Sequence, residues 1–226
     1  MGSQKNKDEL TVLVTGFGYL PPLRAKDPSS REAVDLPPVR ILVHPEPIRV
    51  SYKVVRNLVP SLWEGPHGPA EIDFVIHIGM AGPRPVYQIE HKAHRTGYNS
   101  LDVDGLGLED ERDGMHGEDW VWNGLPDEIP TDLDIVDVYK RWMLHSARDM
   151  DLRISEDPGR YLCDFIYYSS LAHLLKKNRE RKVLFLHVPA MASKQDISNG
   201  LELTINLIRS IAESLSAAGE KKEQEI

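Results

Sequence analysis

A single cysteine, Cys163, stands among 226 residues that include nine histidines. A thiol becomes a nucleophile when a nearby base removes its proton, and a neutral imidazole can do so near pH 7. His187 is a candidate base, because it stands at the end of the apolar segment Lys182–Val188 (KVLFLHV). Glu90 is a candidate third member, since a carboxylate that accepts from the other ring nitrogen fixes the tautomer of the base. Together they would supply the groups needed for acyl transfer through a thioester.

Residue types alone leave other assignments open. His77, on a strand similar to that of His187, and His94, just beyond Glu90, compete for the role of base. A lone cysteine is most often a small buried hydrophobic residue, and single histidines and glutamates most often have structural roles.

Metal and dinucleotide sites are not indicated. One cysteine excludes a Cys-rich zinc site, HEXXH is absent, and the spacing of His91 and His94 in HKAH is a weak signal. The glycines of TGFG (Thr15–Gly18) follow a strand but lack a third glycine, and the bulky residues YLPPL come next. We expect no metal and no cofactor.

Composition limits the possible partners. Apolar residues make up 41 % and charged residues 27 %, as in an ordinary globular protein. The net charge of −8, from 27 Lys and Arg against 35 Asp and Glu, with no long basic run, argues against nucleic acid as a partner. Residues Met1–Leu10 are polar, and no segment approaches the roughly 18 apolar residues of a membrane span. We therefore expect a soluble cytoplasmic protein with no membrane partner.

Short β-branched segments alternate with helical patterns along the chain. The predicted strands are Thr11–Thr15, Arg40–His44, Ile72–Ile78, Leu152–Ser155 and Lys182–Val188, and the predicted helices are Ser51–Trp63, Asp134–Met150, Pro158–Asn178 and Asp196–Leu215. This alternation predicts a single α/β/α sandwich over residues 1–226, with a central, mostly parallel, twisted sheet. Residues 1–10 and 219–226 are expected to fray.

Ligands of such sheets bind beyond the carboxyl ends of the strands, where the three candidate residues could meet. Asp157 is a predicted N-cap and Pro158 a first helical residue, which would place Cys163 in the second helical turn. The helix dipole would then lower the pKa of the thiol only modestly, and a base would have to activate it. The acidic segment Asp102–Asp119 is expected to be a solvated loop, with a mobile cover over the site as the alternative.

Taken together, these segments resemble the pyroglutamyl-peptidase type I family, in its eukaryotic-type branch. The resemblance rests on four blocks in the family's order: VLVTGFG (Val12–Gly18), IHIGMAGPRPVYQIEHKAH (Ile76–His94), ISEDPGRYLCDFIYYSSL (Ile154–Leu171) and FLHVP (Phe185–Pro189). It implies an α/β/α cysteine peptidase without a cofactor that removes an N-terminal pyroglutamyl residue from peptides. By the family's motifs Cys163 would be the nucleophile, His187 the base and Glu90 the orienting carboxylate.

The pyroglutamyl ring is small, neutral and flat, so its pocket should be apolar with a few backbone hydrogen bonds to the lactam. The positions that match are Phe17, Leu20, Met80, Tyr161 and Leu162. The family usually has Pro and Phe where this chain has Tyr19 and Leu20. An impaired relative that binds such N-termini without turnover is therefore an alternative, and a small-molecule binder or transferase of the same architecture is another.

Overall fold

A computed structural model of the chain describes residues 9–17, 38–64, 72–82, 85–108 and 120–224. The described strands are β1 (Leu10–Gly16), β2 (Val39–Val43), β3 (Phe74–Ala81), β4 (Val86–Glu90), β5 (Lys92–His94), β6 (Glu128–Pro130), β7 (Asp151–Ser155) and β8 (Val183–Pro189). The helices are α1 (Tyr52–Glu64), α2 (Ile135–His145), α3 (Leu162–Lys176) and α4 (Lys194–Gln224).

Six of these strands form the central sheet in the order β2-β1-β3-β8-β4-β7. The first four run parallel to one another, whereas β4 lies antiparallel to β8 and parallel to β7. Strands β5 and β6 form a separate antiparallel pair. The predicted mostly parallel sheet within an α/β fold is confirmed.

Helices cover both faces of the sheet, with α1 and α3 packed together and α2 and α4 packed together. Neighbouring strand residues alternate between the two cores, as a pleated strand requires. On β1, Leu13 enters the core beneath α1 and α3, while Val12 and Val14 enter the core beneath α2 and α4. Burial on both faces explains why the strands are continuous apolar runs.

Three helices differ from their predicted bounds. The helix predicted at Pro158 begins at Leu162, and the helix predicted to reach Met150 ends at His145. Helix α4 starts at Lys194 and continues to Gln224, beyond the predicted end at Leu215. Residues 1–8 and 225–226 lie outside the described residues, so fraying of the ends stays a prediction.

The strand predicted at Ile72–Ile78 begins at Phe74 and continues through Gly79 to Ala81. Gly79 therefore lies inside β3, where a side chain would face the packed helix layer. Among the described residues, no helix is long and apolar enough to cross a membrane.

Candidate active site

His187 and Glu90 form a buried pair on neighbouring strands. The Nδ1 atom of His187 lies 2.7 Å from Oε1 of Glu90, and the two residues are 6 % and 0 % exposed. His187 is the fifth residue of β8, and Glu90 is the last residue of β4. An imidazole in this position donates its Nδ1 proton to the carboxylate and directs Nε2 away from it.

Strand alternation places both side chains beneath α3. Phe185 on β8 belongs to the core under α1 and α3, and Ile89 on β4 belongs to the opposite core. Side chains two residues apart share a face, so His187 follows Phe185, and Glu90 points opposite to Ile89.

Cys163, on helix α3, packs on the strand next to the His187–Glu90 pair. The residue of β3 that is paired with His187 is Gly79. A Cβ atom on Gly79 would lie 2.8 Å from Sγ of Cys163 and 2.7 Å from Cζ of Phe185. The Phe185 ring in turn packs on the His187 ring, with centroids 4.7 Å apart. The thiol therefore rests on the bare backbone of Gly79, next to the strand that carries the imidazole.

The position of Cys163 in its helix differs from the prediction. Helix α3 begins at Leu162, so Cys163 is its second residue and lies in the first turn. The N-cap is Tyr161, which makes no side-chain capping hydrogen bond. Asp157 does not cap the helix, because its carboxylate accepts from the N–H of Gly159, whose φ of 83° is incompatible with a continuing helix.

The surroundings of the thiol oppose its ionisation. Burial raises the pKa of Cys163 to about 12, and the negative charges of Glu90 and Asp164 act in the same direction, whereas the residue's own backbone N–H acts against it. In the resting state near neutral pH the thiol is therefore protonated, despite its place at a helix N-terminus. Reaction at this sulfur requires a base that takes the proton as the sulfur attacks.

Glu90 is a buried carboxylate with few partners. Its Oε2 atom has no hydrogen-bond partner among the described residues, and its Oε1 atom contacts His187. A buried charge without partners is unfavourable by several kcal/mol. The contact with His187 is therefore the one hydrogen bond that the described residues give this side chain, and it holds the ring in place.

The two rival histidines are engaged elsewhere. His77 lies between the hydroxyls of Thr15 and Ser170, at 2.7 Å and 2.8 Å. The ring nitrogens of His94 face two carboxylates, Asp164 at 3.1 Å and Glu128 at 3.6 Å. Both ring nitrogens of His77 are hydrogen-bonded to hydroxyls, and Nδ1 of His94 is directed at Asp164. His187 is the histidine of the three that is paired with a carboxylate and lies on the strand next to Gly79.

Three of the predicted pocket residues, Met80, Tyr161 and Phe17, are at least partly exposed to solvent. Met80, next to Gly79, is 65 % exposed. Tyr161 immediately precedes α3, and its hydroxyl donates to the carbonyl of Leu101 at 3.1 Å. Phe17 is half-buried and continues β1, with its N–H bonded to the carbonyl of Ile78 at 3.2 Å.

Leu162 corrects the prediction, because its side chain is fully buried in the core under α3. It can offer a ligand its backbone N–H but not its side chain. Leu20 lies outside the described residues, as does residue 19 beside it. The same is true of residues 109–119, so the predicted loop or cover, Asp102–Asp119, is described only from Asp102 to Leu108.

No group of three or more His, Cys, Asp or Glu side chains that could hold a metal ion occurs in the part of the chain that the structure describes. The sequence reasoning missed Gly79 and Asp164 as parts of the site. Gly79 had a signal, since a glycine inside a β-branched strand often marks a close approach of another group. The approach of α3 to that strand could not be read from the sequence.

Comparison with known proteins identifies the family. The profile of the pyroglutamyl peptidase family matches residues 10–220. Pyroglutamyl-peptidase 1 of Rattus norvegicus is 32 % identical over 190 residues, which cover 80 % of this chain and 79 % of the relative. Pyrrolidone-carboxylate peptidase of Pyrococcus furiosus is 28 % identical over 188 residues, 80 % of this chain and 81 % of the relative.

Solved structures share the fold. A mutant pyrrolidone carboxyl peptidase of Pyrococcus furiosus superposes with a TM-score of 0.67 at 21 % identity, covering 91 % of this chain and 100 % of that one. The pyrrolidone carboxyl peptidase of Thermococcus litoralis gives 0.65 at 17 % identity, covering 92 % and 96 %. The match over residues 10–220, together with these relatives, shows that the chain belongs to the pyroglutamyl peptidase family.

Proposed function

We propose that this chain is a cysteine exopeptidase that hydrolyses the bond after an N-terminal pyroglutamyl residue of a peptide. The observation that carries the proposal is the 2.7 Å contact between Glu90 and His187, with the Cys163 thiol resting on Gly79 of the adjoining strand, in a chain of the pyroglutamyl peptidase family. Cys163 is the nucleophile, His187 the base and Glu90 the carboxylate that orients it.

In the first step Sγ of Cys163 attacks the carbonyl carbon of the pyroglutamyl residue, and its proton passes to His187. Because burial raises the pKa of this thiol, the attack depends on His187 to accept the proton. Glu90 stabilises the imidazolium that forms. Among the described residues, the Oε2 atom of Glu90 has no hydrogen-bond partner, so His187 is the group that this carboxylate serves.

The C–N bond then breaks as the imidazolium gives its proton to the departing amine, which leaves a thioester on Cys163. Water attacks the thioester while His187 accepts its proton, and the proton returns to sulfur as 5-oxoproline leaves. Every proton is carried by His187, so each step is balanced without a metal or a redox group.

The negative oxygen of the tetrahedral intermediate needs donors. The first backbone N–H groups of a helix have no acceptor within it, and Tyr161 provides no side-chain cap to α3. We assign the backbone N–H groups at the start of α3, that of Cys163 among them, to this oxygen.

The pyroglutamyl ring is expected against Phe17 and Tyr161, which both pack against the core under α1 and α3. Met80 follows Gly79 on β3 and therefore points to the opposite face of the sheet, so its predicted contact with the ring has no support from the fold. A site that pairs with the lactam N–H and C=O leaves those groups unpaired when proline is bound instead. An unpaired buried polar group is unfavourable by about 1–3 kcal/mol, and desolvating the prolyl ammonium adds to this.

The first experiment measures chromophore release from a pyroglutamyl arylamide by the wild-type protein and by Cys163→Ala. Release by the wild type alone, unaffected by EDTA and abolished by one equivalent of iodoacetamide, is the expected result. Turnover by Cys163→Ala equal to that of the wild type would rule out the assigned nucleophile.

The second experiment compares pyroglutamyl, prolyl and glutaminyl arylamides under the same conditions. We expect kcat/KM to favour the pyroglutamyl substrate by at least about 10³-fold. A ratio near one would show that the chain hydrolyses a different N-terminal residue. The comparisons do not support an impaired binder without turnover, and the Tyr19 and Leu20 change that suggested one lies outside the described residues.

A cytoplasmic location fits this chemistry. The chain has one cysteine, so it cannot form an internal disulfide, and a nucleophilic thiol remains reduced in the cytosol. We propose peptides with an N-terminal pyroglutamyl residue as its partners there.

A further inference from the structure

The residue after the nucleophile, Asp164 on helix α3, is fully buried and hydrogen-bonded to His94 on strand β5. Its Oδ1 accepts from the backbone N–H of His94 at 2.9 Å, and its Oδ2 lies 3.1 Å from Nδ1 of the same histidine. Arg160 approaches Oδ2 at 3.4 Å from the preceding turn. Both oxygens have partners, and two of the three contacts join the first turn of α3 to β5.

His94 is itself held firmly. It is 7 % exposed and ends β5, which pairs with β6. Its carbonyl accepts from the hydroxyl of Tyr98, and its Nε2 faces Glu128 at 3.6 Å. The anchor to which Asp164 binds is therefore fixed on several sides.

The segment from Glu90 to His94 carries two connections to the site. At its start Glu90 contacts His187, and at its end His94 contacts Asp164, next to Cys163. Between them the N–H of His91 is bonded to the carbonyl of Ser155 at 2.8 Å, which ties the segment to β7. One short segment thus fixes the carboxylate and imidazole relative to the helix that carries the thiol.

We propose that His94 and Asp164 form a positioning pair that holds the Cys163 thiol in register with His187 through their two hydrogen bonds. The inference rests on the proposed function, in which that register matters for proton transfer. Displacing a reacting group by about 1 Å can lower a rate by about 10²-fold.

The charge of Asp164 is not what the pair contributes. A carboxylate beside a thiol opposes formation of the thiolate, and Asp164 indeed helps to raise the pKa of Cys163. Electrostatics alone would favour a neutral residue at this position. The benefit of Asp164 must therefore come from geometry.

This distinction gives the test. Asp164→Asn keeps an oxygen for the N–H of His94 and an amide N–H for its ring, since the neutral imidazole can present Nδ1 as an acceptor. Asp164→Ala removes the same charge and both hydrogen bonds. A difference in activity between the two variants therefore measures the hydrogen bonds and not the charge.

We expect Asp164→Ala and His94→Ala each to lower kcat on a pyroglutamyl arylamide by about 10–100-fold, with KM changed less than about threefold. The double variant should be no slower than the slower single variant, because both changes remove one connection. Asp164→Asn should keep kcat within about fivefold of the wild type. Asp151→Asn, an exposed carboxyl on β7, is the control for a general effect of charge removal.

Alkylation of Cys163 by iodoacetamide, followed against pH, supplies a readout that needs no substrate. Both Asp164 variants should shift the alkylation profile to lower pH by the same amount. A wild type that releases no arylamine, like Cys163→Ala, overturns the proposed function. An active wild type with Asp164→Ala equally active, or with Asp164→Asn as slow as Asp164→Ala, overturns the positioning pair. If the Ala variants fail to fold, Asp164→Asn alone decides, since a loss of 10-fold or more contradicts the proposal.

Discussion

Two buried histidines on adjacent strands of the same sheet have different surroundings. His77 on β3 is 1 % exposed and His187 on β8 is 6 % exposed, and both face the layer of α3. His77 is bonded to the hydroxyls of Thr15 and Ser170, whereas His187 is bonded to the carboxylate of Glu90. Both rings are buried, so the difference between the two histidines lies in their hydrogen-bond partners.

Neutral partners hold His77 in its uncharged form. Burial lowers the pKa of His77 to about 3, because two hydroxyls do not compensate a charge removed from water. His187, in contrast, has a carboxylate, that of Glu90, as its hydrogen-bond partner. His77 also lies two residues before Gly79 on β3, whereas the thiol of Cys163 contacts the strand at Gly79. The comparison teaches that a buried histidine is a candidate base only where a charged partner and a reacting group reach it.

The largest effect should separate the two rings directly. We expect His187→Ala to lower kcat by at least about 10⁴-fold, because in the proposed mechanism His187 carries every proton. His77→Gln should keep kcat within about threefold of the wild type, because glutamine can still bond a hydroxyl. Steady-state kinetics on a pyroglutamyl arylamide checks both variants. Equal losses of kcat in His187→Ala and His77→Gln would contradict the assignment of His187, and not His77, as the base.

Glu90→Gln should come next, with a loss in kcat of about 10²–10³-fold and little change in KM. The amide keeps the shape but not the charge that stabilises the imidazolium. The same variant should alkylate at lower pH, because the charge of Glu90 helps to raise the pKa of Cys163. Glu202→Gln, on the exposed side of α4, is the control. Loss of turnover without the shift in alkylation would mean that the site had been distorted instead.

Gly79→Ala should lower kcat by about 10²-fold. The new Cβ would lie within 3 Å of both the Cys163 sulfur and the Phe185 ring, so the thiol, or the ring that packs on His187, must shift. Gly82→Ala is a matched control, since a Cβ there meets nothing within 4 Å. Kinetics of both variants, with circular dichroism to verify folding, checks the claim. Equal activity of the two variants would show that the thiol does not depend on this contact.

The smallest effect concerns stability. The folded pKa of His77, about 3, lies below the ordinary value of 6.5, so below pH 6.5 the unfolded chain takes up a proton that the folded chain refuses. Stability from this residue is complete above pH 6.5 and falls as the pH drops toward 3. At pH 5 the loss is about 2 kcal/mol. Urea unfolding at pH 7 and pH 5 should show this extra loss in the wild type, and His77→Gln should lack it.

Several elements of the fold could be predicted from the sequence. The strands that became β1, β2 and β8 and the helix that became α1 were located within about two residues, because each is a continuous apolar run or a clear helical stripe. The start of α3 could not be predicted, since the choice between Asp157 and Tyr161 as N-cap depended on the positive φ of Gly159. Strand β4 is not among the predicted strands, and its antiparallel pairing with β8 has no signal in the sequence.

The sequence by itself indicated the type of chemistry, because a single thiol, several histidines near strand ends and the four family blocks point to acyl transfer by a cysteine. Only the tertiary structure decided between His187 and its rivals, since the partners of a ring come from distant parts of the chain. Thr15 and His77 are 62 residues apart, and Glu90 and His187 are 97 residues apart. The resting state of the thiol was also decided there, because the burial that raises its pKa arises when α3 packs onto the sheet.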